Sequence, residues 1–163
     1  MKDPAIDLRA EALADLKRFA ASALSVETLM QRISDRLHEK MVRYNWVGFY
    51  MVDKADPKVL VLGPFSGTFT PHERIPFDQG LCGAAASTGK MVVVDDVTTD
   101  PRYLPGPELT KSEIVVPVVV KGQVVGELDI NSYFPQAFGP ADRQFVESCA
   151  ALVAEYLAAH PAG

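Results

Sequence analysis

The stretch Ile114-Val115-Val116-Pro117-Val118-Val119-Val120-Lys121-Gly122-Gln123-Val124-Val125-Gly126-Glu127-Leu128-Asp129-Ile130 decides the fold. It holds two runs rich in β-branched residues, separated by a Lys-Gly pair. That pattern predicts strands over Ile114–Val120 and Gln123–Ile130, joined by a tight hairpin. Side chains alternate across a strand, so Glu127, Asp129 and Asn131 share one face, while Val125, Leu128 and Ile130 fill the other. Counting outward from the turn sets Glu113 beside Asn131. An acidic sheet face has two readings. It meets water, as one face of an antiparallel sheet commonly does, or it is covered and becomes a site for a cationic group.

Working outward, Trp46–Val52 reads as a strand, Asp53–Lys58 as a turn and Val59–Leu62 as its return strand. Ser66–Phe77 reads as a loop. Gly80–Thr88 is a short helix stopped by Gly89, and Met91–Val94 is a short strand. Leu8–Ala23 keeps helical spacing, and Ser25 is placed to cap a second helix carrying Leu29, Ile33, Leu37 and Met41. Pro140 opens a last helix with Phe145, Cys149, Leu152 and Tyr156 along one face, and the tail from His160 should fray. The order predicts an α+β fold: a mostly antiparallel sheet of about six strands, with the N- and C-terminal helices on one face. The other face would be covered by loops, enclosing a pocket.

The irregular segment Asp95–Lys111 contains Pro101, Pro105, Gly106 and Pro107 and has no periodicity. Loops of this length inside a small domain are often functional, which makes Tyr103, Gly106 and Glu108 candidate lid residues. Trp46 and Tyr50 share a strand face and can form an aromatic wall, or simply pack in the core. Cys82, in Gly80-Leu81-Cys82-Gly83, stands where a helix N-terminus can lower a thiol pKa; the alternative is a small buried side chain. Cys149 belongs to an apolar stripe and reads as core.

Composition excludes several classes. The net charge of −5 lacks the basic clustering that nucleic acid requires. No apolar run is long enough to span a membrane, and the charged N-terminus is no signal peptide, so a cytoplasmic chain is expected. Two cysteines and three histidines show no metal-ligand spacing, and no cofactor motif is present.

Asn45-Trp46-Val47-Gly48-Phe49-Tyr50, Leu60-Val61-Leu62-Gly63-Pro64-Phe65, Gly80-Leu81-Cys82-Gly83, Ser112-Glu113-Ile114-Val115-Val116-Pro117 and Gly126-Glu127-Leu128-Asp129-Ile130-Asn131-Ser132 together resemble the free methionine-(R)-sulfoxide reductases, which are GAF-fold proteins. The resemblance covers Asp7–Leu157 in unbroken order and implies one GAF domain over residues 1–163. It implies that Cys82 matches a resolving thiol, and that Glu113 and Asp129 match substrate-binding carboxylates. A further carboxylate of the pattern is Asn131 here, a second resolving cysteine is Val92, and the nucleophile position falls on Gly106. The resemblance therefore implies a retained pocket without the usual nucleophile.

The function expected on this basis is a non-catalytic GAF sensor. It would bind a small polar, amino-acid-like ligand through Trp46, Tyr50, Cys82, Glu113, Asp129 and Asn131, and report to a signalling partner or through a homodimer. The alternatives are a sulfoxide reductase or other thiol redox enzyme using Cys82, and a dimerising module with an empty pocket.

Overall fold

The computed structural model describes residues 4–69, 71–104 and 109–161. Two helices open the chain, α1 (Pro4–Ala20) and α2 (Val26–Lys40). Strands β1 (Trp46–Val52), β2 (Val59–Gly67) and β3 (Arg74–Pro76) follow, then α3 (Gly80–Thr88), β4 (Val92–Val94), β5 (Ser112–Val120), β6 (Gln123–Ser132) and α4 (Pro140–Ala159). The strands form one six-stranded sheet in the order β3-β2-β1-β6-β5-β4, and the pairings are antiparallel throughout.

The predicted hairpin is present. Lys121 and Gly122 both take positive φ (52° and 79°), the type I′ geometry that matches strand twist. A two-residue turn alone would set Glu113 opposite Ile130. Instead Val118 faces Gly126 while Val119 faces Val124, so Val125 is an extra, bulged residue. The bulge moves the register by one and brings Glu113 opposite Asn131.

One sheet face packs on the helices. Val47, Phe49, Ile114, Val116, Val118, Leu128 and Ile130 join Leu16, Ile33, Leu37, Val146, Cys149 and Val153 in one buried cluster. Ser25 caps α2 by accepting from the Thr28 N–H at 3.1 Å, Gly89 ends α3 in the left-handed region, and Pro140 begins α4. Asp142 ties the helices together: it accepts from the Tyr44 hydroxyl (2.5 Å) and the Arg9 guanidinium (3.1 Å).

Several expectations change. Helix α1 starts earlier than Leu8 and stops at Ala20; Ala12 and Leu16 carry its burial while Leu8 is exposed. The segment read as a loop, Ser66–Phe77, instead continues β2 to Gly67 and supplies β3, whose short Arg-Ile-Pro run offers no periodicity to detect. His160 follows α4, with its ring stacked on Tyr156 and its Nδ1 at the Tyr156 carbonyl. None of the described helices is long and apolar enough to cross a membrane.

Candidate functional site

The second sheet face is built by register. Trp46, Gly48 and Tyr50 on β1 stand opposite Asn131, Asp129 and Glu127 on β6. On the far side of β6, Glu113, Val115 and Pro117 of β5 face the same three residues. A polar strip thus runs between an aromatic wall and a mostly apolar strand. Gly48 makes the wall possible, because a Cβ there would lie 2.4 Å from Cη2 of Trp46. The Trp46 ring stacks on Phe65 and Phe69 at centroid distances of 5.6 and 5.4 Å.

This face does not meet water. Helix α3, the residues Phe69, Pro71, His72 and Ile75, and Tyr103 and Leu104 of the long loop cover it, leaving Glu113, Glu127, Asp129 and Asn131 all buried. Between cover and sheet lies a cavity of about 310 Å³. Glu113, Asp129, Asn131 and Cys82 supply its polar lining, and Trp46, Tyr50, Ile75, Leu81, Tyr103 and Leu104 its larger walls. Cys82 points down from α3, with Sγ 3.5 Å from Oδ2 of Asp129. Asn131 donates to Oδ1 of Asp129 at 3.4 Å, and the Thr110 hydroxyl donates to Oδ1 of Asn131 at 3.3 Å. The Tyr50 hydroxyl donates to the His72 carbonyl at 2.9 Å, locking the wall to its cover. The Trp46 indole N–H is buried and donates to nothing among the described residues.

The electrostatics follow from burying acids together. Burial pushes Glu113, Glu127 and Asp129 above the usual carboxylate range, and for Glu113 the neighbouring Asp129 charge adds to it. Glu127 is fully buried; its carboxyl interacts electrostatically with the Cys82 thiol, yet neither oxygen makes a well-formed hydrogen bond. Burial, then the Asp129 and Glu127 charges, push the Cys82 thiol well above its ordinary value. The expectation of a thiol activated by the helix N-terminus is corrected here. Desolvation and three acidic neighbours outweigh a partial helix charge, and Cys82 is a buried neutral thiol.

Of the residues singled out in the sequence, Trp46, Tyr50, Cys82, Tyr103, Glu113, Asp129 and Asn131 all line the one cavity. Gly106 and Glu108 lie outside the described residues. Phe69, Pro71, His72 and Ile75 were missed, because their stretch reads as an ordinary turn-rich loop. The 95–111 loop is therefore only part of the cover. Cys149 is fully buried on the opposite face of the sheet, within the helix-packed cluster. A wider open groove, between the end of α4 and the β1–β2 and β5–β6 turns, contains no thiol and no buried acidic cluster.

The sheet order, the covered acidic face and the α3 lid define a GAF architecture. Residues 23–158 match the GAF domain family model, and the chain belongs to that family. It is similar to the free methionine-R-sulfoxide reductase of Escherichia coli (strain K12), at 33% identity over 92% of this chain and 91% of that protein. It is 37% identical to Protein YtsP of Bacillus subtilis (strain 168), over 75% of this chain and 74% of the relative. Among solved structures, free methionine-R-sulfoxide reductase from Neisseria meningitidis in complex with its substrate superposes with a TM-score of 0.88. That pair shares 31% identity, over 96% of this chain and 92% of the other.

Proposed function

We propose that this chain takes free methionine-(R)-sulfoxide into the Cys82 cavity and reduces it. The observation that supports this best is that a cysteine thiol shares one small cavity with Glu113, Asp129 and Asn131. Relatives similar over most of the chain bear the name of that activity. A cavity of about 310 Å³ suits a single amino acid better than a larger ligand. Glu113 and Asp129 offer acceptors to the ammonium group, the Trp46 face packs against the sulfoxide-bearing side chain, and the indole N–H, unpartnered among the described residues, offers a donor to the carboxylate.

In the chemical step Cys82 Sγ attacks the sulfoxide sulfur, the S–O bond breaks and the oxygen passes to Sγ. Methionine leaves, reduced by two electrons, and Cys82 becomes a sulfenic acid. A protonated carboxyl of the Glu113–Asp129 pair donates to the sulfoxide oxygen as Asp129 receives the thiol proton, so the site gains no net charge. An external thiol then attacks the sulfenic acid, releasing water and leaving a mixed disulfide. A second thiol equivalent restores Cys82.

A second reading keeps the pocket and removes the chemistry. It is favoured by Gly106 at the position where the resemblance places the nucleophile, and by the neutral state of Cys82. The chain would then be a sensor for the same amino acid, passing on its bound state through a signalling partner or a homodimer. One experiment separates the readings: methionine release from the free sulfoxide with excess small-molecule dithiol, for the parent and Cys82→Ser. Methionine formed by the parent and not by Cys82→Ser supports reduction. Saturable binding without methionine supports the sensor, and absence of both overturns the two together.

A further inference from the structure

Cys82 Sγ, a carboxylate oxygen of Glu113 and one of Asp129 lie within 4.8 Å of one another, and all three residues are buried. The Sγ–Oδ2 separation of 3.5 Å between Cys82 and Asp129 is that of a thiol donating to a carboxylate, and it is also compatible with a shared ion. Around a tetrahedral zinc ion, with Zn–S about 2.3 Å and Zn–O about 2.0 Å, a sulfur–oxygen edge is about 3.5 Å. These two donors already stand at the spacing that a shared ion would impose.

A second feature points the same way. Glu127 is fully buried beside Cys82, on the sheet face that carries Asp129, and among the described residues neither of its carboxyl oxygens has a well-formed hydrogen-bond partner. A buried carboxyl without partners either keeps its proton or takes a cation, and a cation can displace that proton. No lysine or arginine lines the cavity, so among the described lining residues no permanent side-chain cation meets this demand. An ammonium ligand answers the charge but has no use for a sulfur donor; a thiophilic divalent cation uses both.

We propose that Cys82, Glu113 and Asp129 form a binding site for one divalent zinc-class cation, with Glu127 supplying the fourth oxygen or the balancing charge. Binding displaces the thiol proton and the proton shared by the carboxyls, and converts Cys82 to a metal-bound thiolate. The ion occupies the floor of the cavity, so it competes with any amino acid there and withdraws the thiol from redox chemistry. The site does not depend on turnover at Cys82.

The test is chelator-competition titration of the full-length chain, untagged and reduced, with Zn²⁺ alone, together with cobalt(II) absorption spectra. The expected result is one Zn²⁺ per chain, at least tenfold weaker in Cys82→Ser and in Asp129→Asn, with a cobalt–thiolate charge-transfer band in the parent. Cys149→Ser retains both binding and band, which assigns the thiolate even if Cys82→Ser fails to fold. No stoichiometric binding, equal affinity in a folded Cys82→Ser, or loss of the band in Cys149→Ser overturns the proposal. Sulfoxide binding is measured separately in metal-free protein, so failure of one reading leaves the other standing or falling by its own data.

Discussion

Cys82 and Asp129 meet across the junction of α3 and β6, with the thiol 3.5 Å from a carboxylate oxygen and both side chains buried. The contact depends on two local features. The parity of β6 turns Asp129 away from the helix-packed core, and Gly83 lets the start of α3 fold tightly back on the Pro76–Phe77 backbone, since a Cβ there would lie 2.7 Å from the Phe77 carbonyl oxygen. The pair joins the only cysteine of the cavity to the centre of its polar strip, and the chemistry of the pocket turns on it.

A thiol held neutral by burial and by acidic neighbours labels slowly. Iodoacetamide modification of Cys82 in the folded, metal-free chain is expected to be at least tenfold slower at pH 8 than that of an exposed cysteine, rising only as pH passes well above the ordinary thiol range. Glu127→Gln removes one of the charges that raise the thiol and should accelerate labelling at pH 8. Mass mapping checks this, with core Cys149 as the internal comparison. Fast labelling of the parent contradicts the burial.

The same acids make stability pH-dependent with a definite sign. Glu127 has a folded pKa well above its unfolded value of 4.5, so the folded state keeps its proton over a range where the unfolded chain has released it. The native state then binds more protons, and stability falls as pH rises from about 4.5 towards the folded pKa. Thermal unfolding across pH 4.5 to 8 should show this decline. Glu127→Gln should flatten it, gaining stability at pH 8 and changing little at pH 4.

Gly48 is expected to be irreplaceable for the aromatic wall. Gly48→Ala drives a methyl into the Trp46 ring and Phe65, an overpacking that costs about 1–3 kcal/mol. Trp46 is the single tryptophan of the chain, so the displacement is read directly as a red shift of intrinsic fluorescence. An unchanged spectrum and melting temperature contradict the packing described.

Asp142 supplies a control far from the cavity. It accepts hydrogen bonds from Tyr44, Arg9 and the Gly139 backbone N–H, so Asp142→Ala should cost about 1–3 kcal/mol by leaving three polar groups without their acceptor. Ligand affinity of the protein that remains folded should be unchanged. Denaturant unfolding combined with a binding titration checks both halves.

The hairpin, the helix caps and the polar parity of β6 were legible because each rests on local chemistry: Lys121-Gly122, Ser25, and acids two residues apart. The Glu113–Asn131 pairing was anticipated, but by counting from a point the turn does not use; the Val125 bulge that produces the register leaves no mark in a run of valines. The environment of Cys82 was not legible. Its position at a helix start suggested a low pKa, and only the fold shows three carboxyls gathered beneath it from β5 and β6. The cover formed by Phe69, Pro71, His72 and Ile75 was missed for a related reason, since its role depends on what it lies over.

The most direct measurement of the central claim is a titration of metal-free, reduced protein with free methionine-(R)-sulfoxide, followed by Trp46 fluorescence. The account predicts a saturable change, and at least tenfold weaker binding in Asp129→Asn, because a charge-assisted hydrogen bond contributes roughly 1.5–3 kcal/mol. No saturable change in the folded parent, or equal affinity in Asp129→Asn, would contradict it.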